Sequence, residues 1–282
     1  MEKVVDELSA RGLKRATILS YIKLACRLND NKPFSDLHFL QNTSKVIDTI
    51  DTYKISTQVG YYAALMSLLN TKLAADKSYD FARTKYKTIF NLSNDIRLKQ
   101  IQLGERSDRQ AKCWMEWSSI KKRRDELLAH DGNNPTLDTL ILSLYTFHPP
   151  RRNLDYLQMR VGTKNKSQNY YDGTNFVFRE YKTAGTYGEQ TLEVAPRLKK
   201  VLDDYISAHK IADGAYLLFD GSSAGGYKIN RSLKRSLGKT IGSSMLRHIY
   251  LTDKYGSTLD KMKTDADAMA HSTSMQREYV VN

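Results

Sequence analysis

The sequence predicts a mainly α chain with a small antiparallel β-sheet, an α+β organisation in two domains, and three observations carry that reading. Apolar residues recur at helical spacing through the first hundred residues. A short polar segment, Gly104-Glu105-Arg106-Ser107-Asp108, then interrupts the pattern. Beyond it, residues 169–181 are aromatic and β-prone and contain Asp172-Gly173, a hairpin signal inside an otherwise helical second part.

Each element follows from its spacing. Residues 13–28 carry Ile18, Ile22 and Ala25 at helical intervals, and Lys32-Pro33 ends that helix, because the residue before a proline is pushed out of the α region. A third helix is expected from Thr43 or Ser44 through Val46, Ile47 and Ile50. In residues 55–73, Ile55, Val59, Tyr62, Met66, Leu69 and Leu73 fall on one face, which must be buried. Residues 78–103 stay helical but turn basic, with Arg83, Lys85, Lys87, Arg97 and Lys99. Together these make a small helical bundle, residues 1–104. Ser107 or Asp108 can cap the next helix. That helix is read as a long one holding Trp114 and Trp117, both core residues, and the run Lys121-Lys122-Arg123-Arg124. Residues 137–147 form another helix, ended by Pro149-Pro150. The hairpin follows, with residues 191–194 as a third strand. Helices resume at 196–209, 228–237, 244–255 and 259–269 and complete a second domain, residues 109–282.

The composition excludes several classes. The chain is 40% hydrophobic and 27% charged, with a mean hydropathy of -0.55, and no apolar run reaches the roughly 18 residues of a membrane span. Charged residues follow Met1 directly, so no secretory leader is expected and the expected compartment is intracellular. Cys26 and Cys113 lack the paired spacing of a zinc site and read as reduced thiols; no metal or other cofactor is expected. The 44 Lys and Arg against 31 Asp and Glu give a net charge of +13. A polyanionic partner follows, and nucleic acid fits better than a membrane surface because the cations are spread through globular segments.

Two motifs suggest nucleotide binding and fall short of it. Residues 221–226 read GSSAGG, and Gly238-Lys239-Thr240 resembles the end of a phosphate loop, but Leu233 stands where that motif needs its first glycine. Asp265 and Asp267 lack further ligands at metal spacing, and Asp203-Asp204 sits on a solvated helix face.

Five other segments carry the functional signal. Arg151 and Arg152 follow the rigid Pro149-Pro150 turn, which fixes where they point and suits bidentate binding of phosphate. Lys182 lies at the tip of a strand-turn-strand unit. Arg247 lies in an apolar helix, where burying a cation without an anionic partner costs several kcal/mol. His271, in Ala270-His271-Ser272, and Tyr279 follow near the end. In this order, Arg152, Lys182, Arg247, His271 and Tyr279 resemble the active-site series of the tyrosine recombinases, the phage integrase family, over essentially the whole chain. Arg152 rather than Arg151 matches the family's R-x-x-E/D pattern, because it places Asp155 three residues on. His248 after Arg247, and the A-H-S around His271, match further. Ser244 stands where the family usually has a histidine, and the His271–Tyr279 interval of eight residues is one shorter than in bacterial members. Only Val280, Val281 and Asn282 follow the tyrosine, so either the chain stops short of the family's C-terminal helix or assembly uses other contacts.

The resemblance implies a helical core-binding domain that clamps DNA, joined to a catalytic domain. It implies a site-specific recombinase, an integrase of a mobile or viral element acting in DNA integration or excision as a homotetramer on double-stranded DNA. The compartment is then wherever that DNA lies, the cytoplasm of a prokaryote or the nucleus or viral factory of a eukaryotic host. Tyr279 would form a 3′-phosphotyrosine, Arg152 and Arg247 would stabilise the pentacovalent state, Lys182 would protonate the leaving oxygen and His271 would bind the phosphate. The base for Tyr279 stays open between water, His248 and ionisation favoured by the arginines, since Ser244 is no base near neutral pH. Lys121, Lys122, Arg123 and Arg124 are read as phosphate contacts or as a solvated face, and Arg151 as a DNA contact. The alternatives are a type IB topoisomerase-like enzyme and a DNA-binding relative without activity.

Overall fold

The computed structural model describes residues 1–162, 168–219 and 225–279, the last without the side chains of Ser274, Arg277 and Glu278. The chain divides after Glu105 into two compact units. No helix among the described residues is long and apolar enough to cross a membrane.

The first unit contains α1 (Glu2–Ala10), α2 (Arg15–Leu28), α3 (Thr43–Asp51), α4 (Ile55–Leu69) and α5 (Asp80–Gln102). Helix α2 ends before Lys32-Pro33, and Asn42 caps α3 by accepting from the Lys45 N–H. Helix α4 is the hub, and its burial differs from a one-faced stripe. Tyr62 and Leu69 are buried, but so are Tyr61, Ala64, Leu65 and Leu68, whereas Ile55, Val59 and Met66 are half-buried. The reason is that α4 packs against α2, α3 and α5 rather than along one neighbour.

The second unit begins with α6 (Asp108–Cys113), started by a reciprocal capping box between Ser107 and Gln110. The single long helix expected here is two, because the chain leaves the helix at Trp114 and restarts as α7 (Trp117–Asp131). Trp117 is buried and meets Tyr250 edge-on, while Trp114 is half-buried under the Arg106 guanidinium. Then come α8 (Leu137–Thr146), entirely buried from Thr139 onward, and the short α9 (Asn153–Leu157).

The sheet is mixed, not purely antiparallel. Its strands are β1 (Met159–Val161), β2 (Asn169–Tyr171), β3 (Asn175–Phe178) and β4 (Gln190–Glu193), in that spatial order. β2, β3 and β4 form the expected antiparallel meander, with the Asp172 carboxylate accepting from the Thr174 and Asn175 N–H groups in the turn. β1 runs parallel to β2, and its other edge is covered by residues 215–217, through Val161 N–H to Ala215 O and Leu217 N–H to Met159 O. A three-residue strand held on both edges by distant chain has no turn signal of its own.

The remaining elements are α10 (Ala184–Tyr187), α11 (Pro196–Ala208), α12 (Gly225–Leu237), α13 (Ser243–Ala268) and α14 (Thr273–Tyr279). Gly225 lies at a close approach: a Cβ there would force the Leu157 side chain of α9 to move. Most of the GSSAGG loop lies outside the described residues. The two helices expected at 244–255 and 259–269 are one, α13, which runs through Gly256 without a break.

Candidate nucleic-acid cleavage site

Neighbouring arginines have opposite environments. Arg151 is held inside the fold: its Nε donates to Asp155 Oδ2 at 2.9 Å, Nη1 donates to Gln190 Oε1, and the guanidinium stacks 3.8 Å from the Phe178 ring centre. Arg152 occupies the N-cap position of α9 and is half-buried, with no hydrogen bond or ion pair from its guanidinium among the described residues. Burial raises the Asp155 carboxyl above its ordinary range, against the pull of Arg151 and Arg152, and its Oδ1 is left without a partner.

A chain of amides connects this turn to α13. The Tyr145 hydroxyl donates to Asn153 Oδ1 at 2.8 Å; Asn153 Nδ2 donates to Gly226 O and Asn230 Oδ1, and Asn230 Oδ1 also accepts from Ser243 N–H. The first turn of α13 is thereby tied to the residue after Arg152. Burial drives the Tyr145 phenol well above its usual pKa, with Ser243 and the Arg247 charge pulling the other way, so Arg247 lies within electrostatic reach of that phenol. Arg247 Nε is buried and has no acceptor.

Lys182 is exposed in the turn after β3. What fixes that turn is Asn169, fully buried, whose Nδ2 donates to Asp155 O and Glu180 O while Oδ1 accepts from the Arg179 and Glu180 N–H groups. The segments bearing Arg152, Arg247 and Lys182 are therefore joined by continuous hydrogen bonding.

His271 and Tyr279 form a second group. Helix α13 ends in a Schellman turn, with His271 N–H bonded to Ala266 O and Ala270 N–H to Asp267 O, and Ala270 adopts φ +54°, a left-handed conformation that usually demands glycine. Ser272 then caps α14 by accepting from Met275 N–H. The His271 and Tyr279 rings lie 5.7 Å apart, His271 Nε2 is buried without a partner, and Tyr279 is 70% exposed. This group is not brought to the first one, since an unbroken helix advances about 30 Å between Arg247 and Ala268 at about 1.5 Å per residue.

Ser244 and His248, one turn apart on α13, face a depression of about 330 Å³ shared with Arg109, and Arg247 is not among the residues lining it. Of the basic run on α7, Lys121 and Lys122 are exposed. Arg123 donates to Ser236 O and pairs with Glu126; Arg124 is buried, bonded to Thr146 O and Asp125 and stacked on Phe147. The DNA contacts expected of Arg151, Arg123 and Arg124 thus meet guanidiniums already engaged within the fold.

A further cationic surface escaped the sequence reading. Helix α12 contains Lys228, Arg231, Lys234 and Arg235 and no carboxylate. Its apolar face, Ile229, Leu233 and Leu237, is buried, and Arg235 pairs with Asp138. Arg231 and Lys234 stay exposed beside Arg109 and Tyr227 in a groove of about 900 Å³. The signal was present as a helix whose charged residues are all cations.

Searches of protein-family models, of curated proteins and of solved structures return no match to this chain.

Proposed function

We propose that the protein breaks and rejoins DNA as a tyrosine recombinase, integrating or excising a mobile or viral element as a homotetramer on duplex DNA. The observation that carries this reading is the state of Arg152 and Arg247. Neither guanidinium makes an ion pair among the described residues, although Arg152 acts electrostatically on Asp155; Arg247 Nε is buried without an acceptor, and hydrogen bonds join the backbone segments that bear them. A buried guanidinium N–H without an acceptor, as at Arg247 Nε, is expensive, and a phosphodiester supplies the missing acceptor.

In the proposed reaction the Tyr279 oxygen attacks phosphorus, the bond from phosphorus to the 5′ oxygen breaks, and Lys182 gives that oxygen its proton. Arg152 and Arg247 hold the extra charge of the pentacovalent state, a role for which each such donor is worth about 100- to 1000-fold in rate. His271 binds a phosphate oxygen, and the phenol proton leaves to water or to His248. A 5′-hydroxyl reverses the step and restores the phosphodiester. Lys121, Lys122, Arg231 and Lys234 contribute backbone contacts without reading bases.

Nicked duplexes bearing the ends of the protein's own element test the reading, since the nick releases the cut fragment and traps the intermediate. A protein–DNA band that survives denaturant and is absent with Tyr279→Phe supports it. The separation of Tyr279 from Arg247 favours one competing reading, a DNA-binding relative without activity, which would give salt-sensitive binding and no such band.

A further inference from the structure

We infer that Asn230 is a positioning residue: its side-chain oxygen sets where Arg247 stands relative to Arg152, without itself touching the phosphate. The inference rests on the phosphotyrosine reading above and goes beyond it in naming the group that holds the two arginines in register.

Helix α13 starts from Gly242, an N-cap residue with no side chain to receive the free N–H groups of the first turn. Asn230 takes that part from α12: its Oδ1 accepts from the Ser243 N–H at 3.3 Å, about one helical turn before Arg247. The same oxygen accepts from Asn153 Nδ2 at 3.3 Å. Asn153 directly follows Arg152 and is itself held through Oδ1 by the Tyr145 hydroxyl. One atom therefore bridges the segments of both arginines. Gly242 leaves room for it: a Cβ there would lie 2.8 Å from Asn230 Oδ1, and since Gly242 has φ -106°, an ordinary value, what the glycine supplies is space for the amide rather than backbone freedom. Stability is a poor account of this arrangement. Helix α12 is already fixed by buried Ile229, Leu233 and Leu237, whereas Asn230 is exposed, so its amide adds little to the fold. What it adds is placement, because apolar packing is non-directional while a shared acceptor fixes two backbones at hydrogen-bond distance. Rate depends on that placement: a misplacement of about 1 Å costs about 100-fold.

The rate of covalent capture on nicked duplex, at DNA concentrations that saturate binding, tests the assignment when measured beside duplex affinity and melting temperature. Asn230→Ala is expected to slow capture by about 10- to 100-fold while affinity stays that of wild type, the split that marks a group acting on the transition state and not on binding. Gly242→Ala reaches the same amide from the other side. The Asn230 amide, the end of a side chain, turns away from the new methyl and gives up both bonds, so a similar loss is expected. In the double variant the room is already there, and the loss is that of Asn230→Ala alone. Capture unchanged in Asn230→Ala, with only the melting temperature lowered, shows a structural amide and overturns the inference. So does a loss that more DNA restores, which shows a contact to the duplex, and so do losses that multiply in the double variant, which show two independent positions. No capture by wild type overturns the phosphotyrosine reading, and this inference with it.

Discussion

Asn169 donates through Nδ2 to the carbonyl of Asp155 at 2.9 Å, and that bond, with three more from the same side chain, fastens the turn before Lys182 to the helix that follows Arg152. Asn169→Ala leaves two N–H groups and two carbonyls without this partner, the Asp155 carbonyl in a buried position and the others partly reachable by water. The expected loss is about 3 kcal/mol in denaturant unfolding.

Arg151 and Arg152 should separate stability from activity. Arg151→Ala strands the buried Asp155 carboxylate and removes stacking on Phe178, so it is expected to cost about 3 kcal/mol. Arg152→Ala breaks no ion pair and is expected to stay within about 0.5 kcal/mol of wild type while covalent capture falls at least about 100-fold. Unfolding curves and capture assays on the same preparations check both.

Ala270 occupies a left-handed conformation at the Schellman turn. Ala270→Gly relieves that backbone and is expected to stabilise the turn by about 0.5–1 kcal/mol, after allowing for the greater freedom of glycine in the unfolded chain. Slower hydrogen exchange at the His271 N–H is the readout.

Acid should weaken the second unit through Asp131. Burial on its own would raise this carboxyl, but hydrogen bonds from His130, Thr139 and Thr136 outweigh burial and hold it down at about 2. A carboxyl lowered on folding contributes stability that is complete above its unfolded value near 4 and is lost as pH falls toward about 2. Asp131→Asn is therefore expected to destabilise at pH 7 and to flatten the dependence of stability on pH between about 4 and 2.

The cationic face of α12 has a salt signature. Arg231→Ala and Lys234→Ala are each expected to reduce the slope of log affinity against log salt by about 1 without changing preference among sequences. Arg124→Ala should instead lower stability, because its guanidinium is buried against Phe147 and Thr146.

Local chemistry made much of the architecture legible. Helix α3 begins at Thr43 under the Asn42 cap, Ser107 begins the capping box and Asp172-Gly173 turns the hairpin, each through a side chain or backbone that decides the conformation within a few residues. What was hidden depends on distant partners. β1 exists because residues 215–217 and β2 hold its two edges. Arg151 is structural because Phe178 and Gln190 come to it from the sheet. Two helices were expected at 244–255 and 259–269, yet the one glycine between them, Gly256, costs a helix only about 1 kcal/mol, and α13 continues through it. That continuity keeps His271 and Tyr279 away from the arginines that precede them in sequence, a separation no motif spacing reveals.

The central claim, a covalent link through Tyr279, is tested most directly by digesting the denaturant-resistant complex formed on nicked duplex and mapping the nucleotide-bearing peptide by mass spectrometry. The account predicts a nucleotide remnant on Tyr279, absent in Tyr279→Phe. A remnant on another residue, or stable DNA binding without any covalent adduct, would contradict it.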